Sequence, residues 1–125
     1  DLNTMLFSAI VLARQSRYDE ALFWLERALA RDGNFGPAWL ERAKILYQQQ
    51  LLDRARPAFD RACQLMPSSF EAHYWFGKLL ATQGFGAEAL PYLERALAID
   101  PASPKSAELQ LEIERLKAQS GPDGR

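Results

Sequence analysis

The stretch Glu94-Arg95-Ala96-Leu97-Ala98-Ile99-Asp100-Pro101 decides how the chain is read. Its first five residues also occur as Glu26-Arg27-Ala28-Leu29-Ala30, 68 residues earlier. Midway sits Asp60-Arg61-Ala62-Cys63-Gln64, so the spacing is a repeat of 34 residues. Self-similarity at a fixed period marks an architecture of stacked units, none of which buries its apolar face alone. Other rows obey the same spacing: Ala21, Ala55 and Ala89; Leu25, Phe59 and Leu93; Ala28, Ala62 and Ala96. Ala9, Ala43 and Gly77 form a row of small residues, and Leu12, Leu46 and Leu80 a row of large ones.

Working outward, three units follow, 2–35, 36–69 and 70–103. Each splits into two helical patterns. Phe76, Leu79, Leu80 and Gln83 follow helical spacing, as do Ala89, Leu93, Ala96 and Leu97. Gln83-Gly84-Phe85-Gly86 is a turn between them, matched by Gln15-Ser16-Arg17-Tyr18 and Gln49-Gln50-Leu51-Leu52. Ser68, with Glu71 three residues on, predicts a capping box at a helix start. Pro37 and Pro104 suit a first helical turn. Pro67 and Pro101 follow the second helix of their units and help to stop it. Pro57 and Pro91 are tolerable if their helices begin only three or four residues earlier.

This register resembles the tetratricopeptide repeat family. The third unit, from Glu71-Ala72-His73-Tyr74-Trp75-Phe76-Gly77 to Ala96-Leu97-Ala98-Ile99-Asp100-Pro101, is similar to the family pattern almost throughout. The resemblance implies an all-α fold, a right-handed superhelical α-solenoid of antiparallel helix pairs. There are departures. Ser8 and Arg42 stand where the family prefers a large aliphatic residue, and Phe76 approximates it. For Arg42 a snorkelling side chain with a carboxylate partner is expected. His73 stands where Met5 and Trp39 stand in the other units. Gly86 replaces the aromatic that Tyr18 supplies, and Gly33 replaces the closing Pro. After the third unit, residues 104–119 read as a capping helix. Leu109, Ile113 and Leu116 form its apolar stripe, and Glu108, Glu112, Glu114, Arg115 and Lys117 solvate it. Leu111 at the small-residue position argues against a full fourth repeat. Residues 120–125 read as a flexible tail, and the whole as one domain.

Composition excludes several functions. The chain has 125 residues, with 15 Lys+Arg against 16 Asp+Glu. That balance disfavours a nucleic-acid surface. No apolar run approaches the roughly 18–20 residues of a membrane span, so no membrane insertion is expected. Asp1–Ile10 lacks the basic region of a signal peptide. The single Cys forms no internal disulfide, and the single His leaves no His-rich metal site. No phosphate-binding or dinucleotide glycine pattern is present, and no cofactor is expected. His73 and Cys63 lie on packing rows, which favours structural roles over a general base or a nucleophile. An enzyme is not expected.

By the resemblance, the first helices of successive repeats line a concave groove that binds a protein or peptide. Register names its candidate residues as Leu6, Ile10, Leu40, Lys44, Tyr47, Tyr74, Trp75 and Lys78. Aromatic anchors give large contact area at modest entropy loss. Lys44 and Lys78 are equivalent residues on adjacent repeats, suited to carboxylates of a ligand. The family's clamp for heat-shock chaperone tails uses Lys and Asn in the first repeat, Asn in the second, and Lys and Arg in the third. Leu6, Ile10, Glu41, Glu71 and Trp75 stand there, so that mode is not expected. Leu6, Phe7 and Ile10 leave the first helix apolar, which points to self-association through that end, or to cover by a further segment. The alternative function is a structural spacer within a longer repeat array.

Overall fold

A computed structural model describes residues 1–120. All of its regular structure is helical: α1 (Leu2–Arg14), α2 (Tyr18–Arg31), α3 (Gly36–Gln48), α4 (Leu52–Leu65), α5 (Phe70–Thr82), α6 (Gly86–Ile99) and α7 (Ser106–Ser120). These are three helix pairs and one further helix. They group into two compact units, Asp1–Pro67 with α1–α4, and the residues from Ser68 on with α5–α7. The tail expected at 120–125 lies, beyond Ser120, outside the described residues.

Each pair reverses through the same three-residue turn. Ser16, Gln50 and Gly84 lie one period apart and all adopt positive φ, 62°, 64° and 87°. The next amide reaches back to the helix it leaves: Arg17 to the Leu12 carbonyl at 2.9 Å, Leu51 to Leu46 at 2.9 Å, and Phe85 to Leu80 at 2.8 Å. This is the αL closure that satisfies a helix's last carbonyls. Only the third copy uses glycine, which takes this conformation without a Cβ penalty.

The expected rows become the core. Ala9 and Ala43, Ala21, Ala55 and Ala89, and Ala28, Ala62 and Ala96 are all fully buried, as are Leu25, Phe59 and Leu93. Their period is the packing period. Gly77 shows why the first helix needs a small residue there. A Cβ at Gly77 would stand 2.5 Å from Leu93 Cδ2 on α6. In the first unit, Met5, Ala9, Ala21, Leu25 and Ala28 of α1 and α2 gather with Ala38 and Ile45 of α3. The Tyr18 hydroxyl donates to Gln48 Oε1 at 2.7 Å, tying α2 to the end of α3. In the second unit, the stripe Leu109, Ile113 and Leu116 of α7 is buried, as its spacing predicts.

Several local expectations change. The cap of α5 is Ser69, not Ser68: its Oγ accepts from the Ala72 amide at 3.1 Å. The extended backbone of Ser69 marks it as the residue just outside the helix. α7 begins at Ser106 rather than at Pro104, because Ser103 Oγ first closes a turn by accepting from the Lys105 amide at 3.1 Å. Pro57 and Pro91 lie inside α4 and α6, five residues after each helix begins. Each removes one bond to the carbonyl four residues back. Those carbonyls belong to Asp53 and Ala87, both exposed residues.

Candidate functional site

Backbone register sorts the side chains of each first helix into two faces. On α3, Leu40, Lys44 and Tyr47 follow i, i+4, i+7 spacing, while Ala43 faces the core. On α5, Tyr74 and Lys78 share the corresponding face. Within the first unit, Leu6, Ile10 and Tyr47 are half-buried, and Leu40 is buried. The Tyr47 ring meets Phe59 edge-on, centroids 6.4 Å apart, which fixes its body and leaves its rim to solvent. Lys44 Nζ lies 3.5 Å from Glu41 one turn earlier.

The second unit gathers a denser cluster. Tyr74 stacks on Phe70 at 5.6 Å and meets Trp75 edge-on at 5.7 Å. Lys78 Nζ stands 5.4 Å from the Tyr74 ring centre and 5.5 Å from that of Trp75. Lys105 adds a second ammonium 5.2 Å from the Tyr74 ring. These are cation–π distances. From α7, Glu108 accepts the Tyr74 hydroxyl at 2.9 Å and lies 4.0 Å from Lys78 Nζ. Tyr74, Lys78, Leu93, Glu108, Leu109 and Glu112 enclose a cavity of about 120 Å³.

The structure therefore brings Tyr74, Trp75 and Lys78 together. Leu6, Ile10, Leu40, Lys44 and Tyr47 belong to the other unit. Tyr74 is only 2% exposed, so its ring supports the cluster from beneath and Lys78 and Trp75 form the accessible part. Sequence reading did not single out Lys105, and it placed Glu108 on a solvated face of the last helix. The available signal was the period itself: Glu108 follows Tyr74, and Glu112 follows Lys78, by 34 residues. α7 thus packs on α6 as α3 packs on α2.

No catalytic arrangement forms around the two reactive candidates. His73 is buried. Its Nδ1 lies 2.8 Å from the Ser69 carbonyl, and since a carbonyl only accepts, Nδ1 carries the proton. Burial, aided by the Asp60 charge, pushes the Cys63 thiol up to about 12. It is a neutral packing group at neutral pH. Among the described residues no group of three or more His, Cys, Asp or Glu could hold a metal ion. None of the described helices is long and apolar enough to cross a membrane.

Comparison with known proteins agrees with the helical repeat fold. A family model described as Tetratricopeptide repeat matches residues 6–70 and again 40–104. No curated protein sequence matches the chain significantly. Among solved structures, the chain is similar to YrrB, a TPR protein with an unusual peptide-binding site. The TM-score is 0.88 at 21% identity, over 97% of this chain and 61% of YrrB. It therefore spans less than two thirds of that protein. It is also similar to the Yersinia enterocolitica type III secretion chaperone SycD, in complex with a peptide of the translocator YopD. There the TM-score is 0.85 at 15% identity, over 95% of this chain and 94% of the other. A third is the first TPR of Spaghetti (RPAP3), bound to an HSP90 peptide, with TM-score 0.83 at 19% identity, over 95% and 94%. At these identities the likeness establishes the fold.

Proposed function

The chain belongs to the tetratricopeptide repeat family, and on that basis we propose that it is a non-catalytic scaffold that binds a peptide segment of a partner protein in the concave groove. The observation that carries this reading is Lys78 held over two aromatic rings, beside a carboxylate borrowed from α7. Glu108 occupies the place that an acidic side chain of a ligand would take. The cluster therefore favours peptides with an Asp or Glu next to an apolar residue. Lys44 and Tyr47, with Leu6, Ile10 and Leu40, form the matching patch of the first unit. The peptides bound by the SycD and Spaghetti structures support the class of ligand and not its sequence. The positions of the chaperone-tail clamp hold Leu6, Ile10, Glu41, Glu71 and Trp75, so the ligand here is a different peptide. A peptide array read with wild type, Lys78→Glu and Tyr47→Ala tests the assignment. Acidic–apolar peptides lose signal in both variants if the groove binds them; an unchanged pattern removes the groove.

A second reading has its own observation. Phe7 is 68% and Val11 is 37% exposed, one turn apart on α1. One period later, Ile45 is only 3% exposed, inside the cluster that α2 shares with α3. The α1 face is thus the one that α2 covers on α3, and a second copy of the chain is the proposed cover. Light scattering over a concentration series then shows mass rising toward a dimer, and Val11→Lys keeps it monomeric. A constant monomer mass in the wild type removes this reading.

A further inference from the structure

We propose a second binding site, between α3 and α4 on the opposite side of α3 from the groove, that takes an aromatic side chain flanked by acidic residues on a partner polypeptide. The argument begins with one pair of periodic positions. Ser8, Arg42 and Phe76 lie one period apart on the first helices, and Trp24, Ala58 and Tyr92 one period apart on the second. Arg42 and Ala58 line one cavity, and Phe76 meets Tyr92. In the third repeat the gap between the two helices is closed by rings, with Phe76 and Tyr92 centroids 4.5 Å apart. In the first, Trp24 packs against the core from the second helix. In the second repeat, Arg42 and Ala58 provide no ring, and a cavity of about 390 Å³ remains. That volume lies in the range of sites that hold an organic group.

The third repeat shows what this gap accepts, because Tyr92 and Phe76 fill it with aromatic side chains. The floor is apolar, formed by Leu46, Pro57 and Ala58, with Trp39 as a wall. The Trp39 indole is fixed by donating Nε1–H to the Gly33 carbonyl at 2.8 Å, so its face is held ready for stacking. Arg42 and Arg54 line the same cavity against one carboxylate, Asp53. The guanidiniums stack on aromatic rings and pair with carboxylates, which selects acidic neighbours for the incoming ring. The charge balance of the wall disfavours a ring flanked by lysines. On α3, Arg42 and Leu40 project roughly 200° apart around the helix axis, so this site and the groove are separate. The groove reading stands or falls on its own array.

The test follows the Trp39 indole N–H signal by NMR in the full chain. The probes are acetyl-Glu-Tyr-Glu-amide, acetyl-Glu-Ala-Glu-amide and acetyl-Lys-Tyr-Lys-amide. The expected result is a saturable shift at Trp39 with the first peptide, and at least tenfold weaker binding of the other two. Ala58→Tyr supplies the missing ring from within, as Tyr92 does, and should abolish the shift while raising Tm. If that variant fails to fold, Arg42→Glu with Arg54→Glu should weaken binding of the first peptide at least tenfold. No shift at millimolar peptide, equal binding of the lysine-flanked peptide, or a shift that persists in a folded Ala58→Tyr would overturn the proposal.

Discussion

Ser16 and Gln50 hold left-handed backbone that Gly84, one period on, holds without a Cβ. A residue with a Cβ costs about 1–2 kcal/mol in that conformation. Glycine returns part of this gain as unfolded-state entropy. Gln50→Gly should therefore stabilise the chain by about 0.5 kcal/mol and Gly84→Ala should destabilise it by about 1 kcal/mol, both read by urea denaturation. Gly84 marked its turn in the sequence. The turns at Ser16 and Gln50 were legible only by register, and their left-handed backbone was not, because it goes with the amides of Arg17 and Leu51 reaching back to Leu12 and Leu46. Cys63 makes a second residue-scale prediction. Its thiol is raised from the ordinary 9.0 to about 12, mainly by burial. The folded chain then keeps its proton where the unfolded chain loses it. The stability from this group is full below pH 9 and declines as pH rises from there toward 12. A thiol reagent at pH 8 should modify Cys63 in urea and leave it unmodified in the native protein. Rapid native labelling would contradict the buried packing place.

Helix existence was legible because apolar rows at 34-residue spacing also have helical spacing within each unit. Helix ends were less legible. The cap of α5 moved by one residue because two serines are adjacent and only Ser69 has the extended backbone that lets its Oγ reach the Ala72 amide. The prolines of α4 and α6 sit deeper than expected, and the residues four positions back, Asp53 and Ala87, are exposed. The last helix shows what a stripe alone leaves out. Leu109, Ile113 and Leu116 identified its buried side, but the bond from Tyr74 to Glu108 is seen only in the structure. Leu111, at the small-residue position, is 68% exposed. Leu109 is almost fully buried and also lines the Tyr74–Lys78 cavity. Leu109→Ala should cost about 2–5 kcal/mol. It should also loosen Glu108 from Lys78. A thermal melt checks the first effect, and a loss below about 1 kcal/mol would contradict close docking of α7.

At the scale of the whole molecule, seven helices with one period account for the described chain, and the near-equal numbers of acids and bases acquire places. Glutamates and arginines pair along exposed helix faces, as Arg17 does with Glu20 and Arg115 with Glu112. Lys78, in contrast, is drawn over aromatic rings on the face named by register for a ligand. The family's period was readable from a few residues. The partner was not, because a groove's chemistry is set by single substitutions on a common scaffold. Lys78 was legible as a groove lysine. Its pairing with Glu108 was not, since that requires knowing that α7 docks beside α5. The central claim is that this lysine and its rings read an acidic residue of a bound peptide. Isothermal titration calorimetry of an acidic–apolar array peptide against wild type and Lys78→Glu tests it most directly. The account predicts one peptide per chain and at least tenfold weaker binding in the variant, a loss of about 1.4 kcal/mol or more. Equal affinity of the two proteins would contradict it.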